Sequence, residues 1–161
     1  MDSLTQIPLT LCLGKVTLAA GTTTTISNTG TTVFAIKGKA YSKAAISNGA
    51  TPTTDAGTAA AFPTISANQG TVVVIGLDKD GNIKACQGSI EDLDSSGSFV
   101  RAPQFPAHIP DTMCPIGYIV LKGGSTLVGT FRFGSSNLSS VTGMTYTFVD
   151  VVTLPARPQI S

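Results

Sequence analysis

The stretch Thr71-Val72-Val73-Val74-Ile75-Gly76-Leu77 is apolar at odd and even positions alike. Side chains alternate between the two faces of an extended chain, so such a run marks a strand buried on both sides. Asp78-Lys79-Asp80-Gly81 follows, and Asn82 to Ile90 resumes an extended pattern. A two-sided apolar strand, an Asp-Gly turn and a second strand predict a β-hairpin at the centre of the fold.

Downstream of this hairpin, Asp94 to Gly97 reads as a turn before a short strand around Phe99. Pro103, Pro106, Pro110 and Pro115 then punctuate a crossing that is expected to lie outside any central strand, because proline lacks a ladder donor. Ile116 to Lys122 is a second two-faced apolar strand. Gly123-Gly124-Ser125 is expected to turn it into a strand at Leu127 to Phe133, with Leu127, Phe131 and Phe133 facing away from Val128, Thr130 and Arg132. The last strand, Met144 to Thr153, sets Met144, Tyr146 and Phe148 against Thr145, Thr147, Val149 and Val151.

Upstream, Asn48 to Gly70 lacks periodicity and reads as a long loop, a length usually tied down by a partner or a contact. Val33 to Ala45 reads as one strand, with Phe34, Ile36, Gly38 and Ala40 on a dry face and Lys37, Lys39, Tyr41 and Lys43 on a wet one. Lys15 to Leu18 and Thr22 to Ser27 flank Ala20-Gly21 as a short hairpin, and Asn28-Thr29-Gly30 turns the chain again. Residues 1–14, where Leu9, Leu11 and Leu13 alternate with Thr10 and Cys12, form an edge strand or an extended N-terminal arm. Residues 15–153 make a single β domain, and 154–161, with Pro155 and Pro158, an extended tail. The expected class is all-β, a β-sandwich or jelly roll of roughly eight to ten short strands.

Composition narrows the function. Charged residues make up 12% of the 161 positions, about half the ~25% usual for a soluble domain, and ten Lys and Arg balance nine Asp and Glu. A net charge of +1 offers no field for nucleic acid or anionic lipid, and no apolar run approaches the ~20 residues of a membrane span. Met1-Asp2-Ser3-Leu4 lacks the basic and apolar regions of a signal peptide, so synthesis and maturation in a cytoplasm are expected. Cys12, Cys86 and Cys114 are widely spaced and read as small buried hydrophobes.

Equipment for catalysis is sparse. His108 is the single histidine, in a proline-flanked loop and without a nucleophile elbow, so an enzyme is not expected. Asp78, Asp80 and Asn82 have the opening spacing of a calcium loop, but Ile83 and Ser89 stand where its Gly and bidentate acid belong, and a hairpin turn accounts for them. Gly123-Gly124 and Gly134-Ser135-Ser136 lack the lysine and helix of a phosphate loop. No cofactor, metal or small-molecule substrate is expected.

An all-β unit with proline-bearing ends and no catalytic apparatus reads as a protein that assembles onto another, its ends gaining most by lying along a neighbour. Thr51-Pro52-Thr53-Thr54-Asp55, Asn68-Gln69-Gly70 before a strand ending Gly76-Leu77-Asp78, Phe133 to Leu138 and Thr145 to Asp150 together resemble small virion proteins of tailed bacteriophages. The resemblance implies a capsid decoration or cement protein, made in the host cytoplasm and bound to the capsid exterior as a dimer or trimer. The implied partner is the major capsid protein. Candidate contacts are Leu4, Ile7, Leu9 and Leu11 in the arm, Lys37, Lys39 and Lys43 on the wet face, and Leu154, Arg157 and Ile160 in the tail. The alternative is a tail-fibre or receptor-binding module for host glycan, which the absence of Trp and an aromatic content of 6% do little to support.

Overall fold

A computed structural model describes residues 9–160, and the arm candidates Leu4 and Ile7 lie outside them. The described chain is all-β and has no helix, hence none long and apolar enough to cross a membrane. Twelve strands, four of them only two residues long, form four antiparallel sheets in a sandwich-like arrangement. They are β1 (Leu11–Cys12), β2 (Leu18–Ala20), β3 (Thr25–Asn28), β4 (Thr32–Ile36), β5 (Lys39–Lys43), β6 (Gly49–Ala50), β7 (Thr64–Ile65), β8 (Gln69–Asp78), β9 (Ile83–Asp92), β10 (Met113–Gly123), β11 (Phe131–Arg132) and β12 (Met144–Asp150).

The main sheet runs β12-β10-β8-β9. Strand β8 contains the two-sided run, and β8 and β9 form the expected hairpin. One face of the sheet, with Val73, Ile75, Ile119 and Leu121, packs on the small sheets β1-β4-β5, β2-β3-β6 and β11-β7 through Phe34, Ile26, Ile65 and Phe131. The other face, with Val72, Val74, Tyr118 and Val120, is covered by Phe99, Phe105 and Ile109 and by Leu154 and Ile160 of the tail. This second cover is why both strands are apolar throughout: each closes a core on either side.

Several expectations change. Val33 to Ala45 is not one strand but the hairpin β4-β5, with Ile36 opposite Lys39 and a two-residue turn at Lys37-Gly38. Both turn residues have positive φ, 50° and 77°, as a type I′ turn requires. The turn inverts the parity of the faces. Phe34 pairs with Tyr41 and stacks on it, so Lys39, Tyr41 and Lys43 share a face with Phe34 and Ile36, and Lys37 leaves that row for the turn.

Pro115, expected outside any central strand, lies within β10, between β8 and β12. It sits at a bulge where the register with β8 shifts between Pro115 and Gly117, and pairing with β12 begins only at Gly117, so no ladder donor is needed there. The bulge also lets Ile116 and Ile119, three apart, face the same core. Leu127 to Phe133 does not pair with β10; β12 takes that edge, and only β11 is strand, paired with β7. The expected alternation survives, since Leu127, Phe131 and Phe133 are buried and Val128 is exposed.

Residues 48–70 are fastened to their own domain rather than waiting for a partner. They contain β6 and β7 and bury Phe62, Ile65 and Asp55. The Asp55 carboxylate accepts the N–H groups of Gly57 and Thr58 on one oxygen and that of Gln87 in β9 on the other, both Gly57 and Gln87 at 2.7 Å. Asn28 plays a similar part between β3 and the chain at Ile46, accepting the Ile46 N–H at 2.6 Å and donating to Thr32 Oγ1 at 2.9 Å.

Candidate interaction surfaces

Residues 9–13 form an edge strand as far as β1 extends, and its side chains point the opposite way from what three leucines suggest. Cys12 faces the core opposite Phe34, fully buried, while Leu11 pairs with Ala35. The Leu13 N–H donates to the Val33 carbonyl, continuing the register at that end, and the Gly38 N–H donates to the Leu9 carbonyl one residue out of it, at the β4-β5 turn. Leu9, Leu11, Leu13, Val33 and Ala35 therefore lie on the outer face of β1-β4-β5. Leu9 is 60% exposed, Leu13 57% and Val33 42%. A contiguous apolar strip on a sheet face is the pattern of a surface that meets something, unlike single scattered hydrophobes.

A second surface gathers charge. Between the β4-β5 hairpin, the β8-β9 turn and Pro110 to Met113 lies an open cleft of about 690 Å³. Its floor is apolar, with Ile36, Tyr41, Ala56 and Met113, and its walls carry Lys37, Lys39, Lys79 and Lys84 with Asp78, Asp80 and Asp111. Lys37 meets Asp111 at 2.6 Å, Lys79 meets Asp80 at 2.9 Å and Lys84 meets Asp78 at 3.6 Å. Among the described residues Lys39 and Lys43 have no carboxylate within 4.0 Å. The Lys39 ammonium stands 5.6 Å from the centroid of the Tyr41 ring, and the Lys43 stem lies over Gly81, where a Cβ would come within 2.7 Å of its Cδ.

The Asp78-Asp80-Asn82 spacing serves the turn. Asp78 accepts the backbone N–H groups of Asp80 and Asn82 and the Asn82 side-chain amide at 2.9–3.0 Å. Partial burial pushes its carboxyl upward, but those donors and Lys84 outweigh burial and hold it below the ordinary value. Asp94 does the same for its own turn, held low by the Ser96 hydroxyl first and the Ser98 N–H next. Among the described residues no group of three or more His, Cys, Asp or Glu converges as a metal site. His108 is exposed, and its carbonyl occupies the space a Cβ at Gly57 would need.

The remaining candidates lie apart. In the tail, Leu154 and Ile160 pack on the second core, and Arg157 is exposed. The sequence reading did not single out Leu13 and Val33, nor Lys79 and Lys84. The leucine alternation was visible, but its direction depends on pairing with β4. The two other lysines join Lys37 and Lys39 only because two hairpin turns converge. No family model, curated protein or solved structure matches the chain.

Proposed function

We propose that this chain is a structural virion protein of a tailed bacteriophage that binds the outer surface of the capsid, as a homodimer or homotrimer, and cements neighbouring capsomers. The observation that carries this reading is the outward leucine strip, Leu9, Leu11 and Leu13 beside Val33, on an edge sheet of a domain with little charge. Burying such side chains contributes roughly 1.5–3 kcal/mol each when complete, so a strip repeated around an oligomer supports avid attachment. Near-neutral net charge suits crowding of identical copies on one particle. The candidate Arg157 remains available to a neighbour, whereas Leu154 and Ile160 contribute by holding the domain together.

Sedimentation with expanded heads of the virus that carries the chain tests this. The full chain should bind and protect heads, while a Leu9→Asp, Leu13→Asp variant, altered only at exposed positions, should fold normally and bind at least about tenfold more weakly. Failure of the unaltered chain to bind heads, its localisation to the tail, or saturable binding on a glycan array would overturn the reading.

A further inference from the structure

We infer that the lysine-walled cleft is a docking groove for an extended acidic segment of a protein partner, one that alternates carboxylates with apolar side chains. The inference rests on the capsid-binding reading for the source of that segment, the capsid subunit. Its basis is charge and shape. Lys37, Lys39, Lys79 and Lys84 are four of the chain's seven lysines, and with Asp78, Asp80 and Asp111 they leave an excess of one positive charge here, the whole of the chain's net +1. The remainder of the molecule is neutral in sum, so the cleft is the place that attracts an acidic group.

The internal ion pairs do not close the groove. Lys37 and Asp111 are both more than half exposed, as are Lys79 and Asp80. Exposed pairs of this kind contribute about 0–1 kcal/mol, so an incoming carboxylate can exchange into them at little cost. Lys39 is already free of any carboxylate among the described residues and rests on an aromatic face. The apolar floor, where Ile36 and Met113 are buried and Tyr41 is half-buried, asks for an apolar side chain between the carboxylates. A nucleic-acid backbone fits poorly, because Asp78, Asp80 and Asp111 line the same walls and a phosphate chain supplies nothing to the floor.

Two experiments on the full chain separate this inference from the reading beneath it. In the first, the peptide acetyl-Asp-Leu-Asp-Leu-Glu-amide is titrated into the labelled protein and followed by NMR. Backbone amides at 36–41 and 111–113 should shift saturably, and apparent affinity should fall at least about fivefold when ionic strength rises from ~0.05 to ~0.3 M. Equal shifts from acetyl-Lys-Leu-Lys-Leu-Lys-amide or from tripolyphosphate, or no shift at the cleft, would overturn the inference. In the second, Lys39→Glu combined with Lys79→Glu should weaken head binding at least about tenfold, with Lys15→Glu combined with Lys122→Glu within about twofold of the unaltered chain. Equal head binding by both doubly altered forms and the unaltered chain sinks the groove and leaves the capsid reading standing. A peptide that binds the cleft of a chain that never binds heads sinks the capsid reading and leaves the groove.

Discussion

The phenolic oxygen of Tyr118 accepts the backbone N–H of Gln159 at 2.7 Å, joining the middle of the main sheet to the C-terminal tail. The Tyr118 ring is fully buried and meets Phe105 edge-on at 5.1 Å, so one side chain contacts both irregular segments that cover the second core. The tail is thus a part of the domain. Removing the hydroxyl by Tyr118→Phe leaves the Gln159 donor without its acceptor and should cost about 1 kcal/mol. For a chain of this length that lowers the melting midpoint by about 2–4 °C. Deleting residues 154–161 should cost more, because Leu154 and Ile160 leave with it and uncover Val72, Val74 and Val120. An unchanged midpoint in the deleted form would show that the tail covers nothing.

Asp55 provides a second long-range tie, from a segment without regular structure to the edge strand β9. It is 4% exposed and serves three backbone donors. Asp55→Ala orphans all three, two in the 55–58 turn and one in β9, and should cost at least about 2 kcal/mol in urea unfolding. Native-state hydrogen exchange at the Gln87 amide should accelerate in parallel. A loss below about 0.5 kcal/mol would mean that the segment is held by Phe62 and Ile65 alone.

The central hairpin was legible because its signals are local: an apolar run on two faces, then a turn whose Asp78 and Gly81 meet the demands of the backbone within a few residues. The β4-β5 hairpin was not, because Lys37 occupies a positive-φ position with no side chain that advertises it, and a two-residue turn between alternating residues is invisible to periodicity. Missing it inverted the faces of Lys39, Tyr41 and Lys43. Pro115 misled for a related reason, since a bulge and the late start of β12 pairing are properties of neighbouring strands. Of the three lysines expected on one face, Lys37 and Lys39 line the cleft and Lys43 does not, and the cleft needed Lys79, Lys84 and Asp111 from turns far away in sequence.

Gln87 offers a test in the stabilising direction. It pairs with Val73 in the ladder and is 9% exposed, and among the described residues neither its side-chain Oε1 nor Nε2 has a hydrogen-bond partner. A buried amide without partners forfeits its solvation, about 1–3 kcal/mol on mutational scales. Gln87→Met keeps length and the backbone donor to Asp55 while removing both polar atoms, and should raise stability by about 1 kcal/mol or more. A destabilised variant would show that the amide is satisfied in solution by a group outside the chain.

Cys12, Cys86 and Cys114 are fully buried free thiols. Burial pushes the Cys86 thiol up from its ordinary value of 9.0 to about 11, with the Asp55 charge adding to the rise. Burial pushes Cys114 to about 12, with Cys12 adding, and raises Cys12 as well. The folded state therefore holds these protons to higher pH than the unfolded chain does. Their contribution to stability is complete below the unfolded value near pH 9 and is lost as pH rises toward about 11 for Cys86 and about 12 for Cys114. Urea midpoints measured between pH 8 and pH 10.5 should fall, and fall less steeply in Cys86→Ala combined with Cys114→Ala, which separates the thiols from lysine and tyrosine titration. At pH 8 a disulfide reagent should leave all three thiols unmodified in the folded protein and titrate three after unfolding. Rapid modification of the folded chain, or equal alkaline slopes in the two forms, would show that burial does not protect these groups.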